Sequence, residues 1–225
     1  MMNEFVLEVI KSRIERTAKA LEANNFEVFT VKDRAQAREQ VEALLKEGNS
    51  IGVGGSETLN ECDILSLVRD EKYRFIDRYE SGLTKSQIAA RHVESLGADV
   101  YISGTNAVTE NGELYNVDGN GNRIAAIAFG PKSVIILAGY NKIVKDLDEA
   151  ALRVKASAAP ANTKRLGITS YCSVNGECKA LAQGECGMTD GCRGEGRICC
   201  DYLISAYQRR KNRIKVILIE ESLGF

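Results

Sequence analysis

Between Ser103 and Val144, short apolar runs alternate with clusters of polar turn residues, and this alternation restricts the fold more than any other feature of the chain. Residues 124–129 and 134–138 are almost wholly apolar, short, and bounded by glycine and Pro131. Such runs read as strands buried on both faces, which a parallel sheet covered by helices demands. Beside them lie Thr105, Asn106, Thr109, Glu110 and Asn111 around Gly104 and Gly112, and Asp118, Asn120, Asn122 and Arg123 around Gly119 and Gly121. Open α/β sheets bind ligands in loops at strand ends, so these polar clusters are the first candidates for a site.

The rest of the chain extends the same alternation. Leu7, Ile10, Ile14, Ala18 and Leu21 recur at steps of three and four and predict a helix over 4–23 with one apolar stripe. A strand over 26–31 follows, then a helix from Asp33 to Gly48 and a short apolar strand over 50–53. Thr84-Lys85-Ser86-Gln87 is a capping box opening a helix that Gly97 ends. Further strands are expected over 73–76, 99–103, 166–169 and 215–220, and a helix over 146–158 that stops before Pro160. The sum is a single α/β domain over 1–225, a Rossmann-like, mostly parallel sheet flanked by helices, with a cysteine-rich loop region over 166–200.

Composition narrows the partners. With 30 Lys and Arg against 31 Asp and Glu, no global field attracts nucleic acid or an anionic membrane. The one basic cluster, Arg209, Arg210, Lys211, Arg213 and Lys215, reads as a solvated helix end leading into the last strand, with an acidic-partner patch as the alternative. No apolar run reaches the roughly 18 residues of a membrane span, and Glu4 and Glu8 interrupt the N-terminal apolar stretch. A cytoplasmic location is the expectation.

Two places carry chemistry. Residues 50–53 run into Gly54, Gly55, Ser56 and Glu57, a turn in which glycines let the backbone approach an anionic ligand. The turn has neither the G-x-G-x-x-G of dinucleotide sites nor the G-x-x-x-x-G-K of P-loops, and an ordinary strand-to-helix turn is an equal reading. His92 is the only histidine, so any Ser-His or Cys-His catalysis would need it; a partly buried helix histidine is the plainer reading. The second place is the tail, where six of seven cysteines fall. Cys172, Cys178, Cys186, Cys192 and Cys199 are the candidate metal ligands, for zinc or an iron–sulfur cluster, and Cys200 directly follows Cys199. The C-x-x-C spacing of zinc ribbons and ferredoxins is missing, so reduced structural or redox-sensing thiols, and disulfides, stay open.

With these segments in place the chain resembles the LUD-domain family, the lactate-utilisation proteins of the C type. The matching stretches are GGSETL from Gly54, SGTNAVTENGEL from Ser103, DGNGNR-x-AA from Asp118, GP-x-x-VI from Gly130, G-x-NKIV from Gly139, AP-x-N-x-x-R from Ala159, and the RIC that ends at Cys199. The resemblance implies a fold of the NagB/RpiA/CoA-transferase-like group and an association with bacterial L-lactate oxidation beside iron–sulfur partner subunits. Ser170-Tyr171-Cys172 stands where the family pattern has Thr-Pro-Cys, and residues 179–191 look like an insertion adding Cys186 and Cys192.

Three functions compete. The first is an accessory or electron-transfer subunit of 2-hydroxy-acid oxidation, binding a small anionic metabolite with Gly54, Gly55, Ser56, Thr105, Asp118, Asn122, Arg123 and Lys142. Here Arg123 would act as a bidentate clamp and Lys142 as a point charge. The second is a CoA-transferase-like or sugar-phosphate isomerase-like enzyme with Glu110 as nucleophile or general base, since Glu110-Asn111-Gly112 resembles the Glu-Asn-Gly of CoA-transferases. The third is a non-catalytic metabolite or redox sensor. A homo-oligomer is compatible with all three.

Overall fold

The computed structural model describes residues 3–225. Helix and strand alternate through α1 (Glu4–Ala23), β1 (Glu27–Val31), α2 (Arg34–Leu44), β2 (Ser50–Val53), α3 (Glu57–Glu61), α4 (Ile64–Val68), β3 (Arg74–Phe75), α5 (Lys85–Ser95) and β4 (Val100–Gly104). A hairpin of β5 (Ala107–Thr109) and β6 (Leu114–Asp118) is followed by α6 (Asn122–Ala128), β7 (Ser133–Gly139) and β8 (Ile143–Val144). Then come α7 (Leu147–Arg153), α8 (Ala159–Arg165), α9 (Tyr171–Asn175), α10 (Lys179–Ala182), β9 (Asp201–Ser205) and β10 (Ile214–Ile219). Side chains satisfy the unpaired N–H groups at several helix starts. Asn3 accepts from Phe5 N, Asp33 from Gln36 N, and Thr84 and Gln87 form the reciprocal capping box.

Six strands make one sheet in the order β1-β10-β7-β4-β2-β3, with every neighbouring pair parallel. Strand periodicity sends alternate residues of β7 and β10 to opposite faces. Ile135, Leu137, Ile217 and Ile219 pack with Ala37 and Val41 of α2 and with Leu59, Ile64 and Val68 of α3 and α4. Val134, Ile136, Ala138, Val216 and Leu218 pack on the other side with Ile14, Ala18 and Leu21 of α1 and with Ala126 and Ile127 of α6. Both faces are dry, which is why β7 from Val134 and β10 from Val216 are apolar without a break.

The expectation of one wound layer is incomplete. A second sheet runs β8-β5-β6-β9, with β6 antiparallel to both its neighbours and β5 parallel to β8. It closes a third core in which Ala107, Tyr115, Val117 and Val144 meet Ala150, Ala151 and Val154. Its strands are short and lie among turn residues, and β9 comes from the far side of the cysteine segment, so no local pattern marks them.

Three element assignments are also corrected. Residues 124–129, expected as a buried strand, belong mainly to α6, where Ala126 and Ile127 are buried while Ala125 and Ala128 are exposed. Four-to-six-residue apolar runs do not separate helix from strand, and the alanines favour helix. The helix expected to stop before Pro160 passes through a π turn at Val154–Ala158 and resumes as α8 with Pro160 in its first turn. The π turn just before Pro160 widens the ladder where the proline lacks an N–H, so the helix continues across it. Residues 166–169, expected as a strand, form no regular element.

The basic cluster is not a helix end. Arg209, Arg210, Lys211 and Arg213 lie in the turn before β10 and Lys215 within it, and Arg213 is buried, donating to the carbonyls of Ala126, Ile127 and Pro131 in and just after α6. Among the described residues no helix is long and apolar enough to cross a membrane.

Candidate functional site

A cavity of about 440 Å³ opens at the C-terminal ends of β2 and β4 and extends to β6, the turn after β7, α8 and the cysteine segment. Of the eight candidate ligand-binding residues, Gly55, Ser56, Thr105, Asp118, Asn122, Arg123 and Lys142 all line it. Gly54 lies just beneath. A Cβ at Gly54 would stand 2.5 Å from Ser103 Oγ and 3.1 Å from Arg123 Cδ, so only glycine lets β2 approach the floor of the site.

Arg123 is not a free clamp. Its guanidinium donates to Asn116 Oδ1 at 2.5 Å, Asn106 Oδ1 at 2.8 Å, Val117 O at 2.6 Å and Gly104 O at 3.3 Å. Asp118 accepts from the backbone N–H groups of Arg123 and Ile124 and lies 3.8 Å from Arg123 Nε. These two residues tie the second sheet and α6 to the end of β4. Thr105 is likewise spent on the carbonyls of Ala107 and Tyr115. They build the wall and leave little capacity for a ligand.

Lys142 is the opposite case. It is 3% exposed, its ammonium donates to Thr58 Oγ1 at 2.8 Å, and it makes no ion pair among the described residues. Burial pushes its pKa down to about 7, and the charges of Arg153 and Arg123 push the same way. Arg153 holds the loops around it by donating to Asn106 O and Asn141 O. Asn141 in turn bonds Leu223 N and Gly224 O, drawing the last residues against the site, and Phe225 lines the cavity.

Sequence reasoning missed Arg78, which follows β3. It lines the cavity beside Gly55, where a Cβ would stand 2.8 Å from its Nη2. Its guanidinium lies over the Tyr79 ring at 4.5 Å and donates to the Tyr79 hydroxyl at 2.5 Å, while its buried Nε has no partner. Arg78 also makes no ion pair among the described residues. Its sequence surroundings, Asp77-Arg78-Tyr79-Glu80, look like an ordinary charged loop, and only the fold brings them to Gly55.

Glu110, the candidate nucleophile or base, does not line the cavity. It caps the β5–β6 turn, with its carboxylate 2.7 Å from Arg13 Nε and 3.6 Å from Arg16 on α1. Short-range sequence put it beside catalytic-looking turn residues, but the hairpin points it at the opposite helix. His92 is also outside, its Nδ1 3.2 Å from Asn122 Nδ2. Its pKa is lowered by burial and by Arg78, with Asp118 opposing.

The cysteines divide into two sets. Cys172, Cys178, Cys192 and Cys199 line a second cavity of about 30 Å³, while Cys186 and Cys200 are exposed outside it and Cys62 is buried in the core. Burial pushes the Cys199 thiol up to about 12, and Cys172, Cys178 and Cys192 are near enough to add to the shift. All seven cysteines are free, and among the described residues no three His, Cys, Asp or Glu side chains are spaced as around a bound metal ion. The two cavities share a wall of Val154, Ala159, Gly196, Arg197, Ile198 and Cys199.

No curated protein sequence matches. The chain superposes on the crystal structure of a DUF162 family protein from Deinococcus radiodurans with a TM-score of 0.50 and 14% identity, covering 93% of this chain and 98% of that one, which is a likeness of fold. A second structure, eIF2B beta from Chaetomium thermophilum, aligns at a TM-score of 0.34 and 19% identity over 50% of this chain and 43% of that one. The family model for the LUD domain matches residues 14–219, from α1 through the last strand, and the chain therefore belongs to the LUD-domain family.

Proposed function

We propose that the strand-end cavity binds an anionic metabolite, a carboxylate or a phosphate, and that the protein serves 2-hydroxy-acid oxidation as an accessory subunit. Membership of the LUD family supports an association with lactate utilisation in general. One observation carries the anion: Arg78 and Lys142 both line the cavity, and neither has a carboxylate partner among the described residues. A buried cation without a counter-ion is costly, and a bound anion would supply the missing charge and keep Lys142 protonated. The cavity, at about 440 Å³, is in the range that holds ligands well beyond three carbons, so the acid can carry a further group. Val154, Ala158, Ile168, Ile198 and Phe225 offer that group an apolar wall. The CoA-transferase-like reading requires Glu110 at the reacting atoms and gains no support from its pairing with Arg13 and Arg16.

Titration calorimetry at pH 8 tests the proposal with L-lactate, pyruvate, inorganic phosphate and an acyl-CoA, each in two buffers of different ionisation enthalpy. Saturable binding with net proton uptake is expected for at least one ligand, because the anion raises the Lys142 pKa through the working pH. Arg78→Ala should weaken it about 10–100-fold, the loss of one charge-assisted contact of roughly 1.5–3 kcal/mol. Absence of saturable heat for all four ligands, or equal affinity in the variant, would overturn the reading.

A further inference from the structure

The segment over 166–200 has almost nothing to hold it by burial. Ala180 is its only buried residue, and its regular structure is limited to the five residues of α9 and the four of α10. Only Met188, Ile198 and Cys199 lean on the third core, so a metal or cross-link would add most to the segment's order. Four of its six cysteines converge on one small cavity, and they come as two pairs from two loops, Cys172 with Cys178 and Cys192 with Cys199. The other two, Cys186 and Cys200, face solvent. This partition is made by the fold alone.

The surroundings suit bound thiolates. The hydroxyls of Ser170 and Thr163 lie 3.3 and 3.5 Å from Cys172 Sγ and can donate to it. Arg197 donates to the carbonyls of Cys192 and Cys199 at 2.9 and 2.7 Å, fixing the second loop and placing a cation at the cluster. Lys155 and Lys179 line the same cavity against a single acid, Asp190. Four thiolates around a divalent ion carry a net charge of about −2, which this excess of cations offsets. The space between the four cysteines, about 30 Å³, accommodates one atom-sized guest as it stands.

We propose that Cys172, Cys178, Cys192 and Cys199 bind a single divalent, thiolate-preferring metal ion, zinc first among them, and that this ion clasps the cysteine segment against the wall it shares with the larger cavity. Four metal–sulfur bonds form, four thiol protons leave to solvent, and no electrons are exchanged. As they stand, no three of these side chains are spaced as around a bound metal ion. The loops bearing them carry glycines with open space around them, Gly176, Gly184 and Gly194, so binding can draw them inward. The site stands whatever occupies the larger cavity.

The full-length chain, purified without oxygen and with reductant, is to be analysed for zinc, iron and acid-labile sulfide, directly and after incubation with equimolar zinc and desalting. About one zinc per chain and no sulfide is expected. C172S and C199S should each lose the zinc, whereas a C186S/C200S double variant keeps it; circular dichroism confirms that all retain the sheet. Chelation should raise amide exchange across 166–200 and leave β7 and β10 protected. A protein that retains no zinc after incubation, one that contains iron with sulfide, or a double variant that loses the metal as fully as C172S would each overturn the assignment. Exchange in the segment indifferent to chelation would overturn the clasp.

Discussion

The β7–β10 pair and the cysteine segment sit in one chain and are stabilised by opposite means. Every residue of β7 from Val134 to Gly139 is buried, its neighbours on both sides are parallel strands, and helices cover both faces. The 35 positions from 166 to 200 bury one side chain and rely on polar ties such as those of Arg197. The first region needs nothing but its own apolar surface. The second owes its shape to hydrogen bonds and, on our proposal, to a metal. Local stability should therefore be steeply uneven across the molecule, with the wall of the ligand cavity drawn from the weak side.

The largest test of that contrast is Leu137→Ala in β7, expected to cost about 2–5 kcal/mol in urea unfolding because it leaves a cavity among packed neighbours. Val174→Ala in the segment, where the side chain is 72% exposed, should stay within about 0.5 kcal/mol. Similar costs for the two would abolish the distinction.

A pH series sharpens it at the boundary between the regions. Folding holds the Lys142 pKa at about 7, below its ordinary value of about 10.4, so between these limits the unfolded chain binds a proton that the folded chain lacks. Stability should rise with pH through that window, by at most about 1.4 kcal/mol per unit from this group, and the burial penalty should be complete below pH 7. Lys142→Met should flatten the slope between pH 7 and 10 in chemical denaturation. A slope unchanged in the variant would mean that another group titrates.

The smallest effect is expected at Glu110→Gln. Its pairs with Arg13 and Arg16 are part-exposed, so the loss should be at most about 1 kcal/mol. Anion binding in the calorimeter should be unchanged. A loss of binding without a loss of stability would return Glu110 to the site.

Much of the frame was legible in the chain. Thr84 starts a helix where its capping box predicts one, and residues 134–138 and 215–219 both fall in strands, the first a run with no polar position because both faces of β7 are buried. The polar turns after β2 and β4 were readable as neighbours for a related reason: parallel strands end on the same side, so their loops meet, whereas β6 reaches the same cavity from the second sheet. Residues 124–129 were not legible as a helix, since so short an apolar run fits either period.

What the sequence determined by itself was the parallel sheet and its covering helices, because hydrophobic period is a property of local sequence; that Ser56, Asp118, Arg123 and Lys142 line one cavity required the second sheet, which brings Asp118 there. The tertiary structure alone decided that Arg123 and Asp118 are bound up in the wall, that Arg78 and Lys142 line the cavity with no carboxylate partner among the described residues, that Glu110 faces α1, and which four cysteines share a cavity. Each of those depends on which distant groups a side chain meets. A charge is spent or available according to its neighbours in space, and these come from segments far along the chain, as Glu110 against Arg13 and β9 against β6 show.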